Sequence, residues 1–126
     1  MTFRAEGLDH VALVVGDLQR SSDWYRDVLA MERRFADVWT GTGDPVVLCN
    51  GTACVALFLA GDGEAVVPDG RNRHFALKLD RANFASAHAW FAERGVASEL
   101  WDHGISRSVY VRDPDGHQVE LTTYEL

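Results

Sequence analysis

Three residues in this sequence have the types and positions to bind one divalent metal ion together: His10, His74 and Glu120. Neutral imidazole and carboxylate are good ligands for Fe2+, Mn2+, Zn2+ or Ni2+, and three protein ligands leave coordination positions open for substrate and water. Taken singly, a histidine at the start of a strand is more often a hydrogen-bonded core residue than a ligand. Joint placement carries the reading. The segment LDHVALVV (8–15) aligns with NRHFALKL (72–79), and CVALFL (54–59) aligns with QVELTT (118–123), both at an offset of 64 residues. His10 thereby maps onto His74 and Ala56 onto Glu120, while Trp24-Tyr25 recurs as Trp90-Phe91 at an offset of 66. The repeat predicts four equivalent positions, and ligand-type residues fill three of them.

The elements that must position these residues follow the repeat. Each half opens with an alternating strand, continues into a helical stretch and ends in three extended segments separated by turn residues, an order of βαβββ twice over. In the first half Asp17 caps a helix over roughly 17–30, with Leu18, Tyr25, Val28 and Leu29 on one face; strands follow near 32–40, 45–49 and 53–60. In the second a helix over roughly 81–94 ends at Gly95, and strands follow near 97–102, 107–112 and 117–124. The DPDG run at 113–116 is a turn, and residues 61–72, rich in Gly and acidic residues, read as a linker. Strand alternation sets His10, His74 and Glu120 opposite the apolar faces built from Val11, Leu13 and Val15, from Phe75 and Leu77, and from Val119 and Leu121. The same parity puts Tyr110 in the cavity and Val109 and Val111 on the apolar side.

Composition sets the bounds. With 126 residues, 47% hydrophobic and 25% charged, the chain suits one domain with a real core, 1–126, made of a module over about 5–62 and another over about 70–126. A net charge of −7 argues against nucleic acid or an anionic membrane and points to a small-molecule partner. No apolar run approaches a membrane span and residues 1–9 hold no apolar signal core, so the expected location is cytoplasmic. Cys49 and Cys54 flank an Asn50-Gly51 turn and read as small buried hydrophobes, with a redox pair as the alternative.

The paired βαβββ halves, LDHVALVVGDLQRSSDWYRDVLAME at the start, RHFALKL in the middle and VRDPDGHQVELTTYE at the end together resemble the vicinal oxygen chelate superfamily, the glyoxalase, bleomycin-resistance protein and extradiol dioxygenase group. The resemblance covers nearly the whole chain. It implies an α+β fold in which the two modules form a curved mixed sheet around a central cavity, with helices on the outer face. His10, His74 and Glu120 match family metal ligands. It also implies a homodimer whose site combines His10 of one chain with His74 and Glu120 of the other.

Glyoxalase I enzymes usually carry a carboxylate where this chain has Ala56, and without that base the isomerase mechanism is lost. A three-ligand site resembles the extradiol dioxygenases or the fosfomycin-modifying transferases instead. In the dioxygenases the tyrosine and histidine matching Tyr110 and His103 face the catechol; here they lie ten residues before Glu120 and seven before Tyr110. Trp101 stands where a smaller residue is usual, and no histidine lies between His10 and His74 to match that family's acid–base residue. Arg107 is a candidate for binding an anionic or phenolic substrate, and Trp39 and Trp101 for flanking a ring. The expected function is a divalent-metal-dependent enzyme, of lyase or dioxygenase type, acting on a small substrate with vicinal oxygens. The alternative is a drug-sequestering protein of the bleomycin-resistance type, without catalysis.

Overall fold

A computed structural model describes residues 2–126 and divides them into two compact units, one ending at Glu64 and the other spanning Ala65–Leu126. The first unit runs β1 (His10–Val15), α1 (Leu18–Val28), β2 (Glu32–Arg34), β3 (Val46–Asn50) and β4 (Ala53–Leu59). The second repeats the order with β5 (Phe75–Lys78), α2 (Arg81–Glu93), β6 (Glu99–Asp102), β7 (Arg107–Arg112) and β8 (Gln118–Thr123). The fold is α+β, as the sequence predicts. Its strands form two four-stranded mixed sheets, ordered β1-β4-β3-β2 and β5-β8-β7-β6, rather than one continuous hydrogen-bonded sheet.

Register preserves the repeat to the residue. In the first sheet β1 runs parallel to β4 with Ala12 opposite Ala56; in the second β5 runs parallel to β8 with Ala76 opposite Glu120. Both pairs stand at the offset of 64 that the sequence carries.

Local chemistry accounts for the helices. Asp17 Oδ1 accepts from the Arg20 amide at 3.0 Å and Asp80 Oδ1 from the Asn83 amide at 2.8 Å, so each helix begins on an acidic cap. The buried face of α1 carries Ser21, Tyr25 and Val28, and that of α2 carries Phe84 and Phe91, seven residues apart and hence two turns along one stripe. Gly95 stops α2 at φ +67°, the left-handed conformation that glycine adopts without steric cost. Below α2, Val109, Val111 and Val119 are essentially closed to solvent, and burying each contributes about 2 kcal/mol.

Three expectations need correction. The strand near 32–40 ends at Arg34, because Phe35 turns to φ +62° and its carbonyl accepts from both Val38 and Trp39 amides, which closes a tight turn where extension would have continued. Cys49 and Cys54, opposite one another across the β3–β4 hairpin, form a disulfide rather than two free apolar side chains. The stretch read as a linker is fastened to the second unit from Asp69 onward. The Asp69 amide donates to Gly116 O at 3.0 Å, Arg112 Nη1 donates to Asp69 O at 2.6 Å, and the Gln118 amide donates to Asp69 Oδ2 at 2.9 Å.

Candidate functional site

Glu120 lies in the middle of β8 on the face opposite Val119 and Leu121, and only 9% of it is exposed. A carboxylate this buried needs partners or a cation. Three side chains converge on it. Tyr110 is directly across on β7, Ser108 stands two residues back on the same face of β7, and His74 precedes β5 on the other side. Ser108 Oγ donates to Glu120 Oε2 at 2.5 Å, and His74 Nε2 lies 2.9 Å from Glu120 Oε1.

The imidazole orientation bears on what belongs there. His74 Nδ1 is 3.1 Å from the Asn72 carbonyl, and a carbonyl only accepts, so Nδ1 carries the hydrogen. In the neutral ring Nε2 is then a lone pair, and it faces a carboxylate oxygen. Two acceptors at that distance repel unless a cation, proton or metal, stands with them. An imidazole backed by a carbonyl and aimed beside a carboxylate is also the arrangement that metal-binding histidines use. These two residues therefore fit a divalent metal as a partial ligand set. His10, in the first unit, is half exposed, and its Nδ1 lies 2.8 Å from Asp9 Oδ2, leaving Nε2 available. Among the described residues no group of three or more His, Cys, Asp or Glu is gathered closely enough to hold a metal ion.

Burial pushes the Tyr110 phenol above its ordinary pKa, and Glu120 adds to the rise by its charge and by accepting the phenol's hydrogen bond; Ser108 offsets part of it. The hydroxyl is 3.1 Å from His103 Nε2. His103 in turn stacks on Trp101, with ring centroids 6.4 Å apart and planes 16° off parallel. A cavity of about 380 Å³ opens over this face, bordered by Arg71, His74, Trp101, His103, Tyr110 and Gln118 among others, and it is large enough for a one-ring ligand.

The structure thus brings His74, His103, Tyr110, Trp101 and Glu120 into one neighbourhood of the second unit. It does not bring Arg107. The parity that sets Tyr110 in the cavity sets Arg107 with Val109 and Val111 on the opposite face, and Arg112 borders the cavity instead. Arg112 is already engaged with Asp69 O, Gly116 O and Gln118 Oε1. Trp39 lies in the first unit, edge-on to Phe35 at 5.1 Å, and is not among the cavity residues. Alternation in the sequence already sets Gln118 on the face of Glu120, but sequence reasoning missed Ser108 and Asn72. Alternation alone would have found Ser108, which shares a face with Tyr110.

Known proteins agree with this architecture. The sequence profile of the Glyoxalase/Bleomycin resistance protein/Dioxygenase superfamily matches residues 7–121. Catechol-2,3-dioxygenase of Bacillus subtilis (strain 168) is 30% identical over 119 residues, 90% of this chain, which spans only 40% of that protein's length. Metallothiol transferase FosB of Staphylococcus saprophyticus is 26% identical over 128 residues, covering 96% of this chain and 79% of that one. The crystal structure of the fosfomycin resistance protein FosX from Listeria monocytogenes superposes with a TM-score of 0.73 at 20% identity, covering 98% of this chain and 97% of the other, a likeness of fold. No helix among the described residues is long and apolar enough to cross a membrane. With the profile spanning most of its length and two βαβββ units in matching register, this chain belongs to the Glyoxalase/Bleomycin resistance protein/Dioxygenase superfamily.

Proposed function

We propose that this protein is a divalent-metal-dependent enzyme acting on a small substrate with adjacent oxygens, with His74 and Glu120 as two of its metal ligands. One observation carries the reading: His74 Nε2 and Glu120 Oε1 face each other at 2.9 Å while His74 Nδ1 is committed to a carbonyl, so the pair calls for a cation. In this reading His10 is the third ligand, furnished by a second copy of the chain in a homodimer, as the family resemblance implies. A metal held there would polarise the substrate's oxygens.

The chain's own residues supply the rest. Tyr110 presents a phenolic O–H beside the carboxylate and can donate to a substrate oxygen. His103 holds that hydroxyl from the other side and exchanges a proton with it or with the substrate. The stacked Trp101 and His103 give the cavity a flat wall that suits a planar ring. Ala56, buried among Val47 and Cys49, offers no base at the position where an isomerase would need one.

The test is metal titration of chelator-stripped protein with Fe2+, Mn2+, Zn2+ and Ni2+. One ion per chain is expected, lost in His74→Ala and Glu120→Ala. Stoichiometric binding unaffected by either substitution overturns the reading. Loaded protein is then assayed with a panel of catechols under dioxygen and with fosfomycin plus a small thiol. Tight drug binding that survives Glu120→Ala, without turnover, would assign sequestration instead.

A further inference from the structure

We infer that Ser108 is a positioning residue that presets Glu120 to bind metal through a single oxygen, Oε1; this rests on the metal reading above. Ser108 is fully buried on β7, opposite Thr122. Its Oγ is 2.5 Å from Glu120 Oε2 and 3.0 Å from Thr122 Oγ1. A serine has one proton to give, and an ionised carboxylate can only accept, so that proton goes to Oε2.

Thr122 does not supply a proton to this contact. It donates its own to the Arg107 carbonyl at 3.2 Å, so Thr122 Oγ1, at 3.0 Å, and Glu120 Oε2, at 2.5 Å, are both acceptors for Ser108, and the carboxylate oxygen is the nearer one. The result is an asymmetric carboxylate: Oε2 is held by the protein, while Oε1 points at His74 Nε2. A free glutamate side chain rotates about its last torsion and offers either oxygen or both. Here the choice is made by the strand pairing, because Ser108 reaches Glu120 only while β7 and β8 keep the register that places Tyr110 opposite Glu120.

A hydroxyl that merely satisfied a buried charge would support folding and leave metal affinity alone. A positioning hydroxyl weakens metal binding when it is removed, because the carboxylate then swings or binds in a less favourable geometry. The experiment is a Zn2+ titration, by competition with a chromophoric chelator at fixed pH, of wild type, Ser108→Ala, Ser108→Thr and Glu120→Ala, with thermal unfolding of each metal-free protein alongside. Ser108→Ala should bind Zn2+ 10- to 100-fold more weakly than wild type, the range seen when an outer-shell partner of a ligand is lost, and Ser108→Thr should restore most of the affinity. If Ser108→Ala binds Zn2+ within about threefold of wild type while Glu120→Ala has lost it, the positioning role is wrong and the metal site stands. If Glu120→Ala binds as tightly as wild type, the metal site itself falls, and this role with it. Should Ser108→Ala fail to fold, infrared difference spectra of Zn2+-loaded against metal-free wild type decide the matter. A wide splitting between the carboxylate stretching bands, as one-oxygen ligation gives, supports the role. A narrow splitting from two-oxygen ligation overturns it.

Discussion

The two units share a chain path and differ in what they bury. On β4 and its neighbour β3, the face that carries Ala56 holds Val47 and Cys49, an apolar cluster flanked by Cys54 and closed by the disulfide. On β8 and β7, the face that carries Glu120 holds Ser108, Tyr110 and Gln118. Of the eight buried polar or charged residues among those described, Ser21 alone is in the first unit. The β1–β4 and β5–β8 registers are identical, with Ala12 against Ala56 and Ala76 against Glu120, so the difference does not come from that pairing. A βαβββ unit specifies where a side chain points; the neighbours decide whether a charge can live there.

The strongest way to break this comparison is to write the second unit's chemistry into the first. Ala56→Glu places a carboxylate among Val47 and Cys49, with His10 at the place that His74 holds beside Glu120 but an apolar Val47 directly across where Tyr110 stands, and we expect a loss of about 4 kcal/mol in urea unfolding. A variant as stable as wild type would show that the first unit tolerates a charge after all.

The hairpin turns sharpen it next. Gly51 and Gly116 both adopt positive φ, +59° and +86°, but a Cβ at Gly51 meets open space, whereas one at Gly116 would come 2.7 Å from Pro68 Cβ. Gly116→Ala should therefore cost about 3 kcal/mol and Gly51→Ala about 1 kcal/mol, read from the same unfolding curves. Equal losses would mean that Pro68 gives way and the 65–73 segment is loosely held.

Reduction of the Cys49–Cys54 bond is expected to have a limited effect. The bridge spans a separation of only 5 residues across a hairpin that the strand pairing already closes, so the loss is at most about 2 kcal/mol, measured by unfolding with and without a reductant.

The smallest effect is in acid. Burial on its own would raise the Asp69 carboxyl, but the Gln118 amide, Arg73 and the nearby His117 outweigh it and hold the group below its ordinary value. A carboxylate with a lowered folded pKa adds stability above its unfolded pKa and loses it as pH falls through the folded value. Stability of the wild type should thus decline from about pH 4 downward, and Asp69→Asn should flatten that part of the profile. An unchanged slope would remove Asp69 from the account.

Much of this was legible in advance because it is periodic. The Asp17 cap, the Gly95 stop, β7 and the DPDG turn are all local signals, and the offset of 64 pairs Glu120 with its counterpart Ala56 in the sequence itself. Phe35 was not legible, since nothing in a phenylalanine announces a positive φ that ends a strand. Asp69 was hidden by composition: a Gly- and acid-rich stretch looks loose until the long-range partners Arg112 and Gln118 are known. Arg107 is a different case. Its parity with Val109 and Val111 was readable, and applying to it the rule that placed Tyr110 would have turned attention to Ser108 and Arg112.

The fastening at Asp69 also marks where the chain can be opened. Residues 61–64 close on themselves, with the Gly61 amide bonded to Glu64 Oε1 and the Glu64 amide to Gly61 O. Every acceptor of Arg112 lies beyond that turn. An insertion between Glu64 and Ala65 would sever none of these bonds, which makes the junction a natural point for adding a reporter sequence.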